Sequence, residues 1–181
     1  MTCVVGLTHK GSVYIGADSA GVQGWALTVR ADEKVFSRGP FLMGFTTSFR
    51  MGQLLRYKLE VPEQVGTDVP GFMATVFIDA VRECLKAGGW ATVKDGNESG
   101  GGFLVGYRGR LFTIGNDFQV GEAVDGYDSV GCGDELAKGV LFATKGKHPV
   151  KRVETALRAA EAHNAGVRAP FHVITLTVDI G

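Results

Sequence analysis

The chain has 181 residues, enough for one domain that buries a real core, with 45% hydrophobic and 21% charged residues. Its 19 lysines and arginines balance 19 aspartates and glutamates, so nothing in the charge draws it to nucleic acid or an anionic membrane. No run of about 20 apolar residues marks a membrane span, and the first 21 residues lack the basic start and unbroken apolar stretch of an export signal.

Two β-branched runs, 3–9 and 12–17, are split by Lys10-Gly11 and predict a hairpin that begins almost at residue 1. Residues 19–27 are small and glycine-bearing and read as a loop. Short strands are expected near 28–30, 34–37 and 41–45, with Arg38-Gly39-Pro40 as a turn. Met51, Leu54, Leu55 and Leu59 then recur at helical spacing, with Thr46 or Thr47 as N-cap. Residues 61–70 carry Pro62, Gly66 and Pro70 and read as a linker. Phe72, Met73, Val76, Phe77, Ala80, Val81, Cys84 and Leu85 mark an amphipathic helix stopped by Gly88-Gly89. Residues 91–101 are polar and glycine-rich, the signature of a loop. Strands are expected at 102–107 and 110–114, shorter ones within 119–130, helices at 134–144 and 150–163, and a last strand at 171–179.

The 27 glycines sit between apolar runs, as turns do in a strand-rich chain. Strands, two helices, strands, two helices and a strand argue for an α+β fold rather than a parallel βαβ sheet. Two sheets, each faced by a helix pair, would bury every apolar face in a four-layer αββα sandwich. The whole span 1–181 reads as one domain, without internal repeat. Cys3, Cys84 and Cys132 are too irregularly spaced for a zinc site or a disulfide framework, and their odd number suits a reducing cytoplasm. His9, His148, His163 and His172 show no metal spacing. No metal or cofactor is implied. Trp25 and Trp90 sit in loops, packing locally or at a contact between subunits.

Thr2 alone reads as a β-branched residue opening a strand. If Met1 is removed, however, it carries a free α-amine, whose ordinary pKa of about 7.7–8.0 suits it to take the proton of its own hydroxyl. The hairpin folds Asp18, at the end of the second run, back beside Thr2. Lys34 opens a later strand. Held near Thr2, its positive charge would favour both the neutral amine and the alkoxide. Each is otherwise an ordinary strand-end charge.

The spacings 18 − 2 = 16 and 34 − 2 = 32, with Val4-Val5-Gly6, Gly16-Ala17-Asp18 and Lys34-Val35 around them, resemble those of proteasome β subunits and the bacterial HslV peptidase, of the N-terminal-nucleophile (Ntn) hydrolases. The resemblance spans nearly the whole chain. It implies the αββα sandwich, a threonine peptidase with Thr2, Asp18 and Lys34 in its site, and stacked rings of six or seven subunits to which an ATPase unfoldase docks. Met43-Gly44-Phe45 is similar to the family segment whose glycine N–H binds the oxyanion, which assigns Gly44 that role, although a glycine can also serve a turn here. Val130-Gly131-Cys132-Gly133 resembles the family Gly-Ser-Gly loop, with Cys132 in place of serine. The family aspartate aligns with Ala162, leaving Glu161 or His163 to substitute. By alignment Asp32, Leu42 and Thr46 contact substrate, and an acidic Asp32 favours a basic residue before the cut. Cys3 reads as a core residue rather than a nucleophile. A ring subunit that kept the fold and lost the reaction, or an amidohydrolase acting on small amides, are the alternative readings.

Overall fold

In the computed structural model, which describes residues 1–177, the chain begins with β1 (Cys3–His9) and β2 (Ser12–Ala17). Next come β3 (Ala20–Gln23), β4 (Ala26–Val29), β5 (Val35–Arg38) and β6 (Phe41–Phe45). Helix α1 (Phe49–Tyr57) follows, then α2 (Val69–Phe72) and α3 (Ile78–Ala87), joined by a π-helical turn at Met73–Phe77. Six strands return: β7 (Thr92–Lys94), β8 (Asn97–Ser99), β9 (Phe103–Tyr107), β10 (Arg110–Ile114), β11 (Val120–Glu122) and β12 (Tyr127–Gly131). Helices α4 (Asp134–Ala143) and α5 (Pro149–His163) precede β13 (His172–Leu176). The expected last strand is present as far as Leu176; positions 178 and 179 of that expectation lie outside the described residues.

Two antiparallel sheets organise the chain, in the orders β12-β1-β2-β13 and β11-β10-β9-β6-β5. The two-residue period of a strand then sorts side chains into three apolar layers. Cys3, Val5 and Leu7 of β1 face α4 and α5, where they meet Leu141, Val153 and Leu157. Val4, from the other face of β1, packs between the sheets with Ile15, Val35, Leu42 and Leu104. Phe41, Met43 and Phe45 of β6 turn away from that layer toward Met51, Leu54, Val81 and Leu85 of α1 and α3. This is the four-layer αββα sandwich that the element order predicts.

Two glycines are dictated by how closely the layers approach. A Cβ on Gly44 would lie 2.6 Å from Val4 Cγ1 and 2.8 Å from Ile15 Cγ2, so the sheets could not meet there. A Cβ on Gly16 would lie 2.5 Å from Val153 Cγ1, where α5 rests on β2.

Residues 19–27 are not a loop. Most of them form the hairpin β3–β4, whose strands pair only with each other. This ribbon projects from the body, every residue of β4 is exposed, and so no apolar alternation marks it in the sequence. Residues 91–101 likewise contain the hairpin β7–β8, turning at Asp95-Gly96 with both residues at positive φ, a dipeptide suited to that turn. The N-cap of α1 is Ser48, whose hydroxyl accepts from Arg50 N at 3.0 Å, and not Thr46 or Thr47.

Replacing Gly44 by Ala is expected to destabilise the fold by about 1–3 kcal/mol through overpacking. Gly139→Ala, in α4 with open space around it, is expected to stabilise it by about 0.5–1 kcal/mol. Urea unfolding of the two variants measures both, and a neutral Gly44→Ala would mean the sheets have slack.

Candidate active site

The β1–β2 hairpin sets Thr2 beside Asp18. Val4 pairs with Ala17, and one step further out Asp18 N donates to Cys3 O at 3.3 Å while Cys3 N donates to Asp18 Oδ1 at 3.0 Å. The second carboxylate oxygen accepts from Ala20 N at 2.8 Å and from Arg168 N at 3.1 Å. Lys34 arrives from the other sheet, just before β5, and crosses the inter-sheet layer. Its Nζ lies 2.9 Å from Asp18 Oδ1 and 2.9 Å from Thr2 Oγ1. The side chains of Lys34 and Asp18 are 1% and 0% exposed, so water cannot screen them from each other.

Burial pushes the Lys34 ammonium below its ordinary pKa, and Asp18 works against that shift. An ammonium in this position stabilises negative charge on the threonine oxygen it touches. Cys3, one residue away, is chemically different. Burial among the residues facing α4 and α5 pushes its thiol up to about 12, so it stays protonated.

Cys132 does reach Thr2. Its Sγ lies 3.3 Å from Thr2 N and 3.4 Å from Thr2 O. It is brought there by Gly131, at φ +107, where a Cβ would lie 2.1 Å from Thr2 O. The side chain that completes this network is Asn164 and not Ala162. Asn164 Oδ1 lies 3.2 Å from Cys132 Sγ, and Asn164 Nδ2 donates to Cys132 O at 2.7 Å. Counting along a helix could not place it, because α5 ends at His163 and Asn164 is its extended C-cap. Glu161 is engaged elsewhere, accepting from Ala169 N at 2.8 Å.

Thr2 also borders an open cleft of about 410 Å³, walled by the β3–β4 hairpin on one side and by Phe45, Thr46, Thr47, Ser48 and Phe49 on the other. Thr46 is at the cleft, as the alignment places it. Leu42 is not: it is fully buried between the sheets. Gly44 lies inside β6, paired with Val35 and Leu104, beneath the cleft rather than on it. Beyond it, Phe45 N donates to Lys34 O, Thr46 N to Gly102 O and Ser48 N to Thr46 O. Thr47 N finds no partner among the described residues, and Thr47 holds a left-handed φ of +67. Asp32 is bound to Arg30, and it is Arg30 that borders the cleft. Thr47 and Arg30 carry no motif, and only the strained backbone of one and the ion pair of the other reveal them. In the chain as described, the Thr2 amine is an amide joined to Met1, and Thr2 Oγ1 donates to Met1 O.

Among solved structures, Thiobacillus denitrificans BPH in complex with epoxomicin superposes with a TM-score of 0.80 at 16% identity, over 97% of this chain and 98% of that one. Eukaryotic HslV from Trypanosoma brucei matches with a TM-score of 0.71 at 18% identity, over 97% and 99%. Anbu (ancestral beta-subunit) from Yersinia bercovieri matches with 0.67 at 19%, over 98% and 82%. This chain shares their fold. No protein-family model and no curated protein matches the sequence.

Asp18→Asn strands the Lys34 ammonium in the interior and is expected to destabilise the protein by about 3–5 kcal/mol. Adding Lys34→Met removes the stranded charge and is expected to recover most of that loss. A urea double-mutant cycle checks this, and additive losses would show that the two groups are not coupled.

Proposed function

We propose that this chain is a threonine peptidase of the Ntn-hydrolase kind, with Thr2 as nucleophile after removal of Met1. The observation that carries the reading is the Lys34 ammonium, buried and 2.9 Å from both Thr2 Oγ1 and Asp18 Oδ1. In an ordinary strand end such a charge would face water. Here it is pointed at a hydroxyl that borders an open cleft.

In this mechanism the freed amine of Thr2 accepts the hydroxyl proton, directly or through a water. The oxygen attacks a peptide carbonyl lying in the cleft, helped by the adjacent ammonium. Thr47 N–H takes the oxyanion role that the resemblance assigned to Gly44, because an unengaged donor held in a fixed backbone costs no reorganisation when charge develops. The amine returns its proton to the leaving nitrogen, and water hydrolyses the ester on Thr2. Cys132 and Asn164 position the amine. The chain works as a homo-oligomeric ring of six or seven copies in the cytoplasm, stacked in pairs and served by an ATPase unfoldase; of these, the likeness to HslV supports self-association. No helix among the described residues is long and apolar enough to cross a membrane.

A second reading, a ring subunit without activity, is favoured by one observation: a thiol, a weaker hydrogen-bond donor than a hydroxyl, stands beside Thr2 N and hydrogen-bonds a neutral carboxamide.

Mass spectrometry of the purified protein is expected to show a chain without Met1, and that protein is expected to cleave short fluorogenic peptides. Thr2→Ala is expected to reduce turnover by about a thousandfold or more. Epoxomicin, the ligand of BPH, is expected to inhibit. Met-free, folded protein that cuts no peptide would leave the inactive-subunit reading standing.

The pH profile has a definite sense. The amine must be neutral and Lys34 must be charged, so kcat/KM rises as the amine loses its proton and falls as Lys34 loses its own. Because burial depresses Lys34, the alkaline limb is expected below the ordinary lysine value of about 10.4. A profile still rising at that pH would remove Lys34 from the mechanism.

A further inference from the structure

We propose that the cleft selects an acidic side chain, glutamate or aspartate, on the residue preceding the cleaved bond. This rests on the peptidase reading above and reverses the expectation drawn from Asp32.

Arg30 is held from three directions. Its stem lies across the backbone of β3, where a Cβ on Gly21 would be 2.9 Å from Arg30 Cγ. Its guanidinium sits 4.0 Å from the centroid of the Phe49 ring. Its Nε and Nη2 each lie 2.6 Å from an oxygen of Asp32. A free arginine would lose much side-chain freedom on gripping a ligand, whereas this one is already ordered by the fold. Asp32 engages only one edge of the guanidinium, and Nη1 is left to another acceptor.

The charges around the cleft favour an anion there. Among the described residues that border it, Arg30 is the one with an ionisable side chain. Asp32 borders a neighbouring pocket instead, where its ion-pair partner is Arg30 and the more distant Arg56 also favours its charged form. Glu33 is turned to His172, with Oε1 3.2 Å from Nδ1. Lys34 adds a second cation near Phe49, its own carboxylate partner being Asp18. A substrate lysine would meet like charge. A glutamate could lay its methylenes on Phe45 and Phe49 and accept from Arg30 and from the hydroxyls of Thr28, Thr46 or Ser48.

The test uses the full-length, Met-free chain and fluorogenic tripeptides that differ only in carrying Glu, Leu or Lys before the scissile bond. The Glu substrate is expected to exceed the Lys substrate by about tenfold in kcat/KM. Arg30→Met is expected to lower the Glu substrate about fivefold, the upper end for a half-exposed charge pair, and to leave the Leu substrate within about twofold. A Lys substrate equal to or better than Glu overturns the proposal, and this wild-type comparison stands even if the variant does not fold. An equal loss for Glu and Leu in folded Arg30→Met protein also overturns it. If no peptide is cut at all, the peptidase reading fails on its own. The charge preference is then read from fluorescence anisotropy of dye-labelled peptides containing Glu or Lys: tighter Glu binding that Arg30→Met abolishes supports it, and equal binding overturns it.

Discussion

A lysine ammonium sits almost without exposure between two β-sheets, and the arrangement around Thr2 depends on how it is kept charged there. An isolated ammonium would be several kcal/mol out of place in such surroundings. Asp18 makes the position tenable, and it does so because its own carboxylate is saturated by three backbone N–H groups and the lysine. The carboxylate therefore cannot swing away, and of the ammonium's two remaining N–H groups one is directed at Thr2 Oγ1.

The sandwich exists in a form that makes this possible. One partner comes from each sheet: Thr2 and Asp18 from the ends of the β1–β2 hairpin, Lys34 from the start of β5. They meet only because the sheets approach closely, and Gly44 is where that approach leaves no room for a side chain. A residue that resembled an oxyanion donor in the linear sequence thus serves the site indirectly, by setting the spacing across which Lys34 reaches. In the proposed mechanism the donor function falls instead to the loop that follows β6, where Thr47 is held in a left-handed conformation.

The surroundings of Thr2 N depart from the pattern the sequence resembles in a consistent way. Cys132 stands where the resemblance has a serine and Ala162 where it has an aspartate, and Asn164, a neutral carboxamide, is the side chain that bonds Cys132. What remains electrostatically beside Thr2 is the Lys34–Asp18 pair, with Arg30 further along the cleft.

Layer order and the meeting of Thr2, Asp18 and Lys34 were legible in the chain, since each is written in short-range patterns. The two-residue alternation of β1 and β6 and the helical spacing in α3 and α5 set which faces bury, and Thr2, Asp18 and Lys34 each sit at a strand boundary that turn residues mark. Asn164, Thr47 and Arg30 were not legible. Asn164 acts from beyond a helix end, Thr47 through a backbone angle and Arg30 through contacts with Gly21, Phe49 and Asp32. Leu42 and Thr46 show the same division within five residues of each other: both are apposed to a sheet in sequence, yet one is sealed between layers and the other opens on the cleft. The sequence by itself determined the elements and which of their faces are apolar, because those follow from local periodicity. Only the tertiary structure decided which polar groups touch, because that depends on how two sheets and a capping loop are packed across distances that no local pattern records.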